Sequence, residues 1–259
     1  MSSWPAHADD ARDAVSCRDL LASPKAGEAG LDANDIHLVN WNMHKGKHAL
    51  AATDLNRLGG NSDLVLLQES TLERDFLRLF GGALYWSFAP GYQSGEHLTG
   101  VMTLSTAMPL ARCSLTIQEP WLGTPKATSI TQYALEGSDD TLIVVNLHAI
   151  NFTLGTRRFA AQFNAIGSAI HGHMGPVILS GDFNTWRPQR RRVVDRIVGQ
   201  LGLSPVRFDN DQRKRVFGLA LDHVYVRGLE SVESSTRVVD SSDHNPMSVR
   251  FARGPIAAQ

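Results

Sequence analysis

Residues 177–186 read Val177-Ile178-Leu179-Ser180-Gly181-Asp182-Phe183-Asn184-Thr185-Trp186. Three apolar residues mark a buried strand, and Gly181 ends it at a point where a side chain would crowd an approaching group. Asp182 and Asn184 stand two apart, so in extended chain they share one face. A carboxylate and an amide at a strand end orient a water and hold an oxygen-rich ligand. The same residues also build turns, so this stretch alone does not separate turn from site. The other apolar runs decide, because several of them also end or begin in such residues.

With 259 residues, 42% of them hydrophobic, the chain suffices for one large core, and no internal repeat divides it. No apolar run reaches membrane-spanning length, and no basic start precedes an apolar stretch at the N-terminus. Two cysteines, Cys17 and Cys113, give no disulfide framework. The expectation is a soluble, cytoplasmic monomer. The net charge of −1 is unevenly spread. Residues 1–35 hold seven acids and three bases, and the remaining 19 acids and 22 bases leave the body at +3. The reading is therefore an acidic, loosely packed leader over 1–35 with a short helix near 11–22, a domain over 36–253, and a tail over 254–259.

Along the domain, 36–42 and 63–69 read as strands ending in Asn42 and Glu69, with helices over 47–58 and 71–80 after them. Strands follow at 85–88, 100–105, 110–117, 126–135 and 141–147, the last running into His148 and Asn151. Phe159, Phe163, Ile166 and Ile170 give residues 155–172 a helical apolar face, and 188–201 repeats the pattern. Strands at 221–226 and 247–251 begin near Asp222 and just after Asp243 and His244. No crossover helix interrupts 83–147, which excludes a purely parallel doubly wound sheet. Mixed sheets packed together and covered outside by helices remain.

Six strand ends thus carry polar groups: Asn42; Glu69; His148 with Asn151; Asp182 with Asn184; Asp222; Asp243 with His244. If the last strands run antiparallel to the earlier ones, all six meet on one rim. Oxygen ligands such as Glu69, Asn42 and Asp243 suit Mg²⁺ or Mn²⁺, whereas zinc would want cysteine or clustered histidine. Histidines beside carboxylates suit proton transfer and charge stabilisation. That chemistry is phosphoester hydrolysis.

Trp41-Asn42, Gln68-Glu69, Leu147-His148-Ala149-Ile150-Asn151, Gly181-Asp182-Phe183-Asn184, Leu221-Asp222-His223 and Ser242-Asp243-His244-Asn245-Pro246 resemble, in order and spacing, the motif series of the endonuclease/exonuclease/phosphatase superfamily. Within it, residues 146–155 and 207–215 are similar to bacterial YafD-like proteins. The resemblance implies a DNase I-like four-layer α/β sandwich, with two packed mixed β-sheets flanked by helices. It also implies roles. Glu69 and Asn42 would hold the metal with Asp243 in reach. Asp182 would orient or deprotonate the attacking water, helped by Asn184. His244, held by Asp222, would contact the scissile phosphate, and His148 would stabilise the transition state, with Asn151 on a phosphate oxygen. His44 stands where abasic-site endonucleases usually carry Asp, which weakens a second metal position and that assignment.

Two basic stretches border these motifs: Arg187 with Arg190, Arg191, Arg192 and Arg196, and Arg207 with Arg213, Lys214 and Arg215. They read either as a solvated face or as a backbone-binding track. Arg187, Arg213 and Arg215 are the candidate phosphate contacts, and Trp186 and Phe217 the candidate stacking groups. A nuclease acting on DNA or RNA is the first reading. A phosphatase or phosphodiesterase for a small or lipid-derived phosphoester is the second, although no apolar hairpin of the membrane-attached kind stands out. A non-catalytic binding module is the third, and the completeness of the set argues against it.

Overall fold

The computed structural model describes residues 11–23, 29–71, 84–94, 97–120, 122–153 and 155–254. Nearly all of the helix expected over 71–80, and residues 255–259 of the tail, lie outside them. Two six-stranded mixed sheets face one another. The first runs β13 (Leu229–Thr236), β14 (Met247–Arg253), β1 (Ile36–Asn42), β2 (Leu64–Thr71), β4 (His97–Ser105), β3 (Tyr85–Ser94). The second runs β5 (Ala111–Gln118), β6 (Pro125–Ala134), β7 (Thr141–His148), β8 (Val177–Asp182), β12 (Asp222–Arg227), β9 (Ser204–Pro205). A separate hairpin joins β10 (Arg215–Val216) to β11 (Leu219–Ala220).

Side-chain alternation builds the layers. Leu38, Leu64 and Leu66 of the first sheet meet Leu142, Val144, Ile178 and Val224 of the second in a core between the sheets. Val39, Trp41, Val65 and Leu67 point the other way, under Leu55 of α2 (Ala51–Gly59). On the outer face of the second sheet, Ile143, Val145 and Leu179 pack under Phe159, Phe163 and Ile166 of α3 (Arg157–Ala169) and Val194 and Ile197 of α4 (Pro188–Gln200). Central strands are buried on both faces, which is why they read as unbroken apolar runs. The expected four-layer α/β sandwich is the architecture found.

Residues 11–23 and 29–35, in the segment expected to pack loosely, contribute to that core. Cys17 and Leu21 of α1 (Ala14–Ala22) are buried against the second sheet, and Leu31 bridges to Leu135. Cys17 is disulfide-bonded to Cys113 of β5, with Cα atoms 5.7 Å apart. The sequence reading missed this pair because 96 residues separate its members. Disulfides persist mainly in oxidising surroundings, which pulls against the cytoplasmic expectation.

The strand directions bring the polar ends together. β1 and β2 are parallel, as are β7 and β8, while β14 and β12 run antiparallel to them. The register sets His148 opposite Asp182 and Asp182 opposite Asp222. Neighbouring cross-strand positions lie on the same face, so three strands supply one row of site residues. Gly181 is what allows the pairing: its φ is +149°, and a Cβ there would sit 1.9 Å from the Leu147 carbonyl oxygen. Replacing Gly181 by Ala should destabilise the protein by about 1–3 kcal/mol, as overpacked buried sites do. Urea unfolding measures this, and an unchanged midpoint would contradict the close approach.

Candidate functional site

A cavity of about 710 Å³ opens at this rim, lined among others by Asn42, Glu69, His148, Asn151, Asp182, Asn184, Asp243 and His244. Asp222 lies behind it, 1% exposed. All six polar strand ends therefore meet, as the antiparallel running of β12 and β14 requires.

Asp182 is the hub. Its Oδ2 accepts from Asn42 Nδ2 at 3.0 Å and its Oδ1 from the Asn184 amide at 2.9 Å. His148 Nε2 is 3.6 Å and His244 Nε2 4.0 Å from Oδ2. Burial raises the Asp182 carboxyl to about 6, His244 opposing the rise and Asp222 adding to it. His244 is held by Asp222, whose Oδ2 accepts from Nδ1 at 2.8 Å. Burial by itself would discharge this imidazole, but the Asp222 carboxylate, with Asp182 and Asp243, outweighs it and raises the pKa to about 10. The folded value lies above the ordinary 6.5, so the bound proton stabilises the fold fully below about pH 6.5. That stabilisation is lost as the pH rises through about 10. His148 goes the other way, pushed well below its usual range by burial and then by Lys126 and His244. Two histidines in one cavity thus carry opposite charge states.

Lys126 was missed by the sequence reading. Its Nζ lies 2.8 Å from His148 Nε2, and it lines the cavity. The motif reading had no place for it, since it sits near the start of an ordinary strand.

Glu69 and Asn184 hold their positions through left-handed backbone, each with φ of +50°. Non-glycine residues rarely adopt this conformation, and it clusters at functional sites. At Glu69 it coincides with a register shift between β2 and β4, the irregularity that re-aims a side chain. The Glu69 carboxylate is 25% exposed, with His148 Nε2 at 3.9 Å. Asp243 is 51% exposed at the mouth, 3.6 Å from His44 and 3.9 Å from Lys214. Glu69, Asn42 and Asp243 form an oxygen-only donor set around one cavity, which fits a hard divalent cation. Asp182, Asp222 and His244 also bring ligand atoms within 4.8 Å of one another.

Backbone of the His148–Thr153 loop is satisfied almost entirely by side chains. Gln162 bonds the His148 carbonyl and the Ile150 amide. Glu119, 1% exposed, accepts from the Asn151 and Phe152 amides. Asn184 Nδ2 donates to the Ala149 carbonyl at 3.0 Å. Arg190, fully buried, donates to the carbonyls of Ile150, Asn151 and Asn184, tying the loop that carries Asn151 to the turn that carries Asp182.

Several expected substrate contacts are spent internally. Arg190 is this clamp rather than part of a basic track. Arg187 donates to the Thr153 carbonyl and stacks on Trp186. Trp186 lies under the guanidinium groups of both Arg187 and Arg190 and donates to Asn151 Oδ1, so its ring is a prop. Arg213 is paired with Asp211 and bonded to the Asp222 carbonyl. Arg215 is half-exposed and shares Asp211. Phe217, by contrast, is 84% exposed at the tip of the β10–β11 hairpin.

Residues 39–244 match the Endonuclease/Exonuclease/phosphatase family. Among solved structures, the human Nocturnin catalytic domain with bound sulfate anion is 15% identical at a TM-score of 0.65, covering 87% of this chain and 97% of that one. An endonuclease/exonuclease/phosphatase from Bacteroides vulgatus is 13% identical at 0.68, covering 85% and 100%. A humanized D. rerio TDP2 is 17% identical at 0.56, covering 84% and 98%.

The clamp predicts that Arg190→Lys, which keeps the charge but loses the fork, leaves buried carbonyls unpaired at about 1–3 kcal/mol each. Amide exchange over 149–153 should quicken while the strand core stays protected. Unchanged exchange in that loop would contradict the clamp.

Proposed function

We propose that this chain, which belongs to the endonuclease/exonuclease/phosphatase family and is a phosphoesterase, is a Mg²⁺- or Mn²⁺-dependent phosphodiester hydrolase acting on nucleic acid. The observation that carries the site assignment is the hub at Asp182, with a cationic histidine on one side and a neutral one on the other.

Glu69 and Asn42, with Asp243 in reach, would hold the divalent cation, which when bound polarises a phosphoryl oxygen. Asp182 accepts the proton of the attacking water. Its carboxyl, raised to about 6, is largely ionised at neutral pH yet still basic enough to take that proton. Asn42 Nδ2 and the Asn184 amide fix its two oxygens, so the lone pair that receives the proton is aimed rather than free. As the water oxygen bonds to phosphorus in line, negative charge spreads over the phosphoryl group and the bond to the leaving oxygen breaks, its electron pair departing with that oxygen, which takes up a proton from solvent. The His244 imidazolium and the Lys126 ammonium face that charge without having to move a proton first. Neutral His148 accepts from Lys126 and holds it at the cavity wall. Asn151, braced by Trp186, reaches a phosphate oxygen. No covalent enzyme intermediate is needed.

Nucleic acid is favoured over a small phosphoester because three lysines, Lys45, Lys126 and Lys214, line the cavity among its carboxylates and offer counter-charges to a phosphate backbone. Purified protein should hydrolyse bis-p-nitrophenyl phosphate and DNA with Mg²⁺ or Mn²⁺, and lose both activities in chelator. Asp182→Asn should lower kcat about a hundredfold or more, with the fold retained by thermal unfolding. An Asp182→Asn protein as active as the parent would overturn the assignment. Cleavage of the small diester alone would move the substrate away from nucleic acid.

A further inference from the structure

Among the described residues, the exposed aromatic side chains are Tyr92, Phe152 and Phe217, at 39%, 48% and 84% exposure. Tyr92 and Phe152 line the catalytic cavity, and Phe217, which does not line it, caps the hairpin whose Val216 does. One exposed apolar side chain on a protein surface needs no explanation. Two rings on the cavity wall, from β3 and the loop after β7, with a third exposed on the adjoining β10–β11 turn, do.

The turn adds an independent observation. Val216 pairs with Leu219, leaving a two-residue connection, Phe217-Gly218, with φ of +50° and +80°. Positive φ at both positions is the type I′ hairpin, which strongly favours Asn-Gly. Phenylalanine at its first position is strained, and residues held in this region cost of order 1–3 kcal/mol. Exposure of 84% means that burial returns almost nothing for this strain. A bulky ring held in a disfavoured conformation, in solvent, beside a catalytic cavity has its explanation in what it meets there.

We propose that Phe217, Phe152 and Tyr92 form a stacking collar, and that the substrate is single-stranded nucleic acid whose unpaired bases lie on these rings while its backbone enters the cavity. The inference rests on the nuclease reading above and narrows it. Lys45, Lys126 and Lys214 line the cavity together with Tyr92 and Phe152, beside the carboxylates of Glu69, Glu119, Asp182 and Asp243. Aromatic platforms beside a cationic groove are how single strands are held without sequence preference. A duplex buries its base faces in its own stack and offers these rings nothing. A bilayer would ask for contiguous aliphatic side chains, and among the described cavity-lining residues the exposed large aliphatic one is Leu122 alone.

The test compares a labelled oligothymidylate with its duplex in Mg²⁺, for the parent and Phe217→Asn, which restores the residue this turn prefers. The parent should cleave the single strand faster. The variant should lose preference for the single strand by roughly fivefold or more, with an unfolding midpoint at or above the parent's. A ring with a merely structural role would instead lower that midpoint. Equal cleavage of both forms by the parent, or an unchanged preference in the variant, overturns the collar and leaves the nuclease reading standing. Cleavage of neither form, by protein active on bis-p-nitrophenyl phosphate, overturns the nuclease reading and the collar with it. Binding to phosphatidylcholine/phosphatidylserine vesicles that is lost in Phe217→Asn overturns the collar in favour of a lipid-facing ring.

Discussion

Two carboxylates on neighbouring strands, Asp182 and Asp222, are 2% and 1% exposed. Buried side by side they repel, and removing either from water is costly. What makes the pair tolerable is the His244 imidazolium between them, bonded to one and 4.0 Å from the other. The geometry around His244 follows from that need. Trp41 Nε1 donates to the His244 carbonyl at 2.9 Å, and Ser242 Oγ to the Asn42 carbonyl at 2.7 Å. Strand β1 thereby fixes the loop that delivers the histidine, which ties the two sheets at their functional edge. The proton on His244 both stabilises the fold and supplies the charge that faces a phosphoryl group.

Polarity continues beneath the site into the interior. Gln68 Nε2 donates to Asn40 at 2.9 Å and to Asn146 at 2.7 Å, and Asn146 donates to the Met102 carbonyl, all fully buried between the sheets. Such a network fixes strand order and register where apolar packing alone would permit slippage. Satisfied in this way, it holds β2 and β7 at one relative height, and with them Glu69 and His148. Together with the Glu119, Gln162 and Arg190 clamp, it makes the site stiff although much of it lies on irregular chain. Rigidity of this kind is what electrostatic catalysis asks for, since donors that are already aimed need no reorganisation.

Much of this was legible in the sequence, for identifiable reasons. Apolar runs ending in single polar residues are visible to any reading of period and punctuation, so the rim of Asn42, Glu69, His148, Asp182, Asp222 and His244 could be assembled before any coordinates. Gly181 was readable as a close approach, and the Leu147 carbonyl is what approaches. Contacts between distant elements were not legible. Lys126, Glu119 and the Cys17–Cys113 pair have no local signal. Arg190 had one that went unused: it stands four before Val194 and seven before Ile197, the spacing of the buried helix face. A run of arginines was read by composition, and periodicity was the better guide. The leader was read by composition too, yet Cys17, Leu21 and Leu31 carry it into the core. Strand β13 escaped because its side chains are mostly exposed and polar.

The most direct test of the account is the protonation of its two buried histidines, read by imidazole NMR on labelled, metal-free protein across pH. The account predicts that His244 keeps both ring protons at about pH 8, while His148 loses its second proton well below the ordinary histidine value, so the two titrate on opposite sides of it. A His244 that loses its proton near its ordinary value would contradict the account. The buried acids would then lack their counter-charge, and the site would lack the cation assigned to the phosphoryl group.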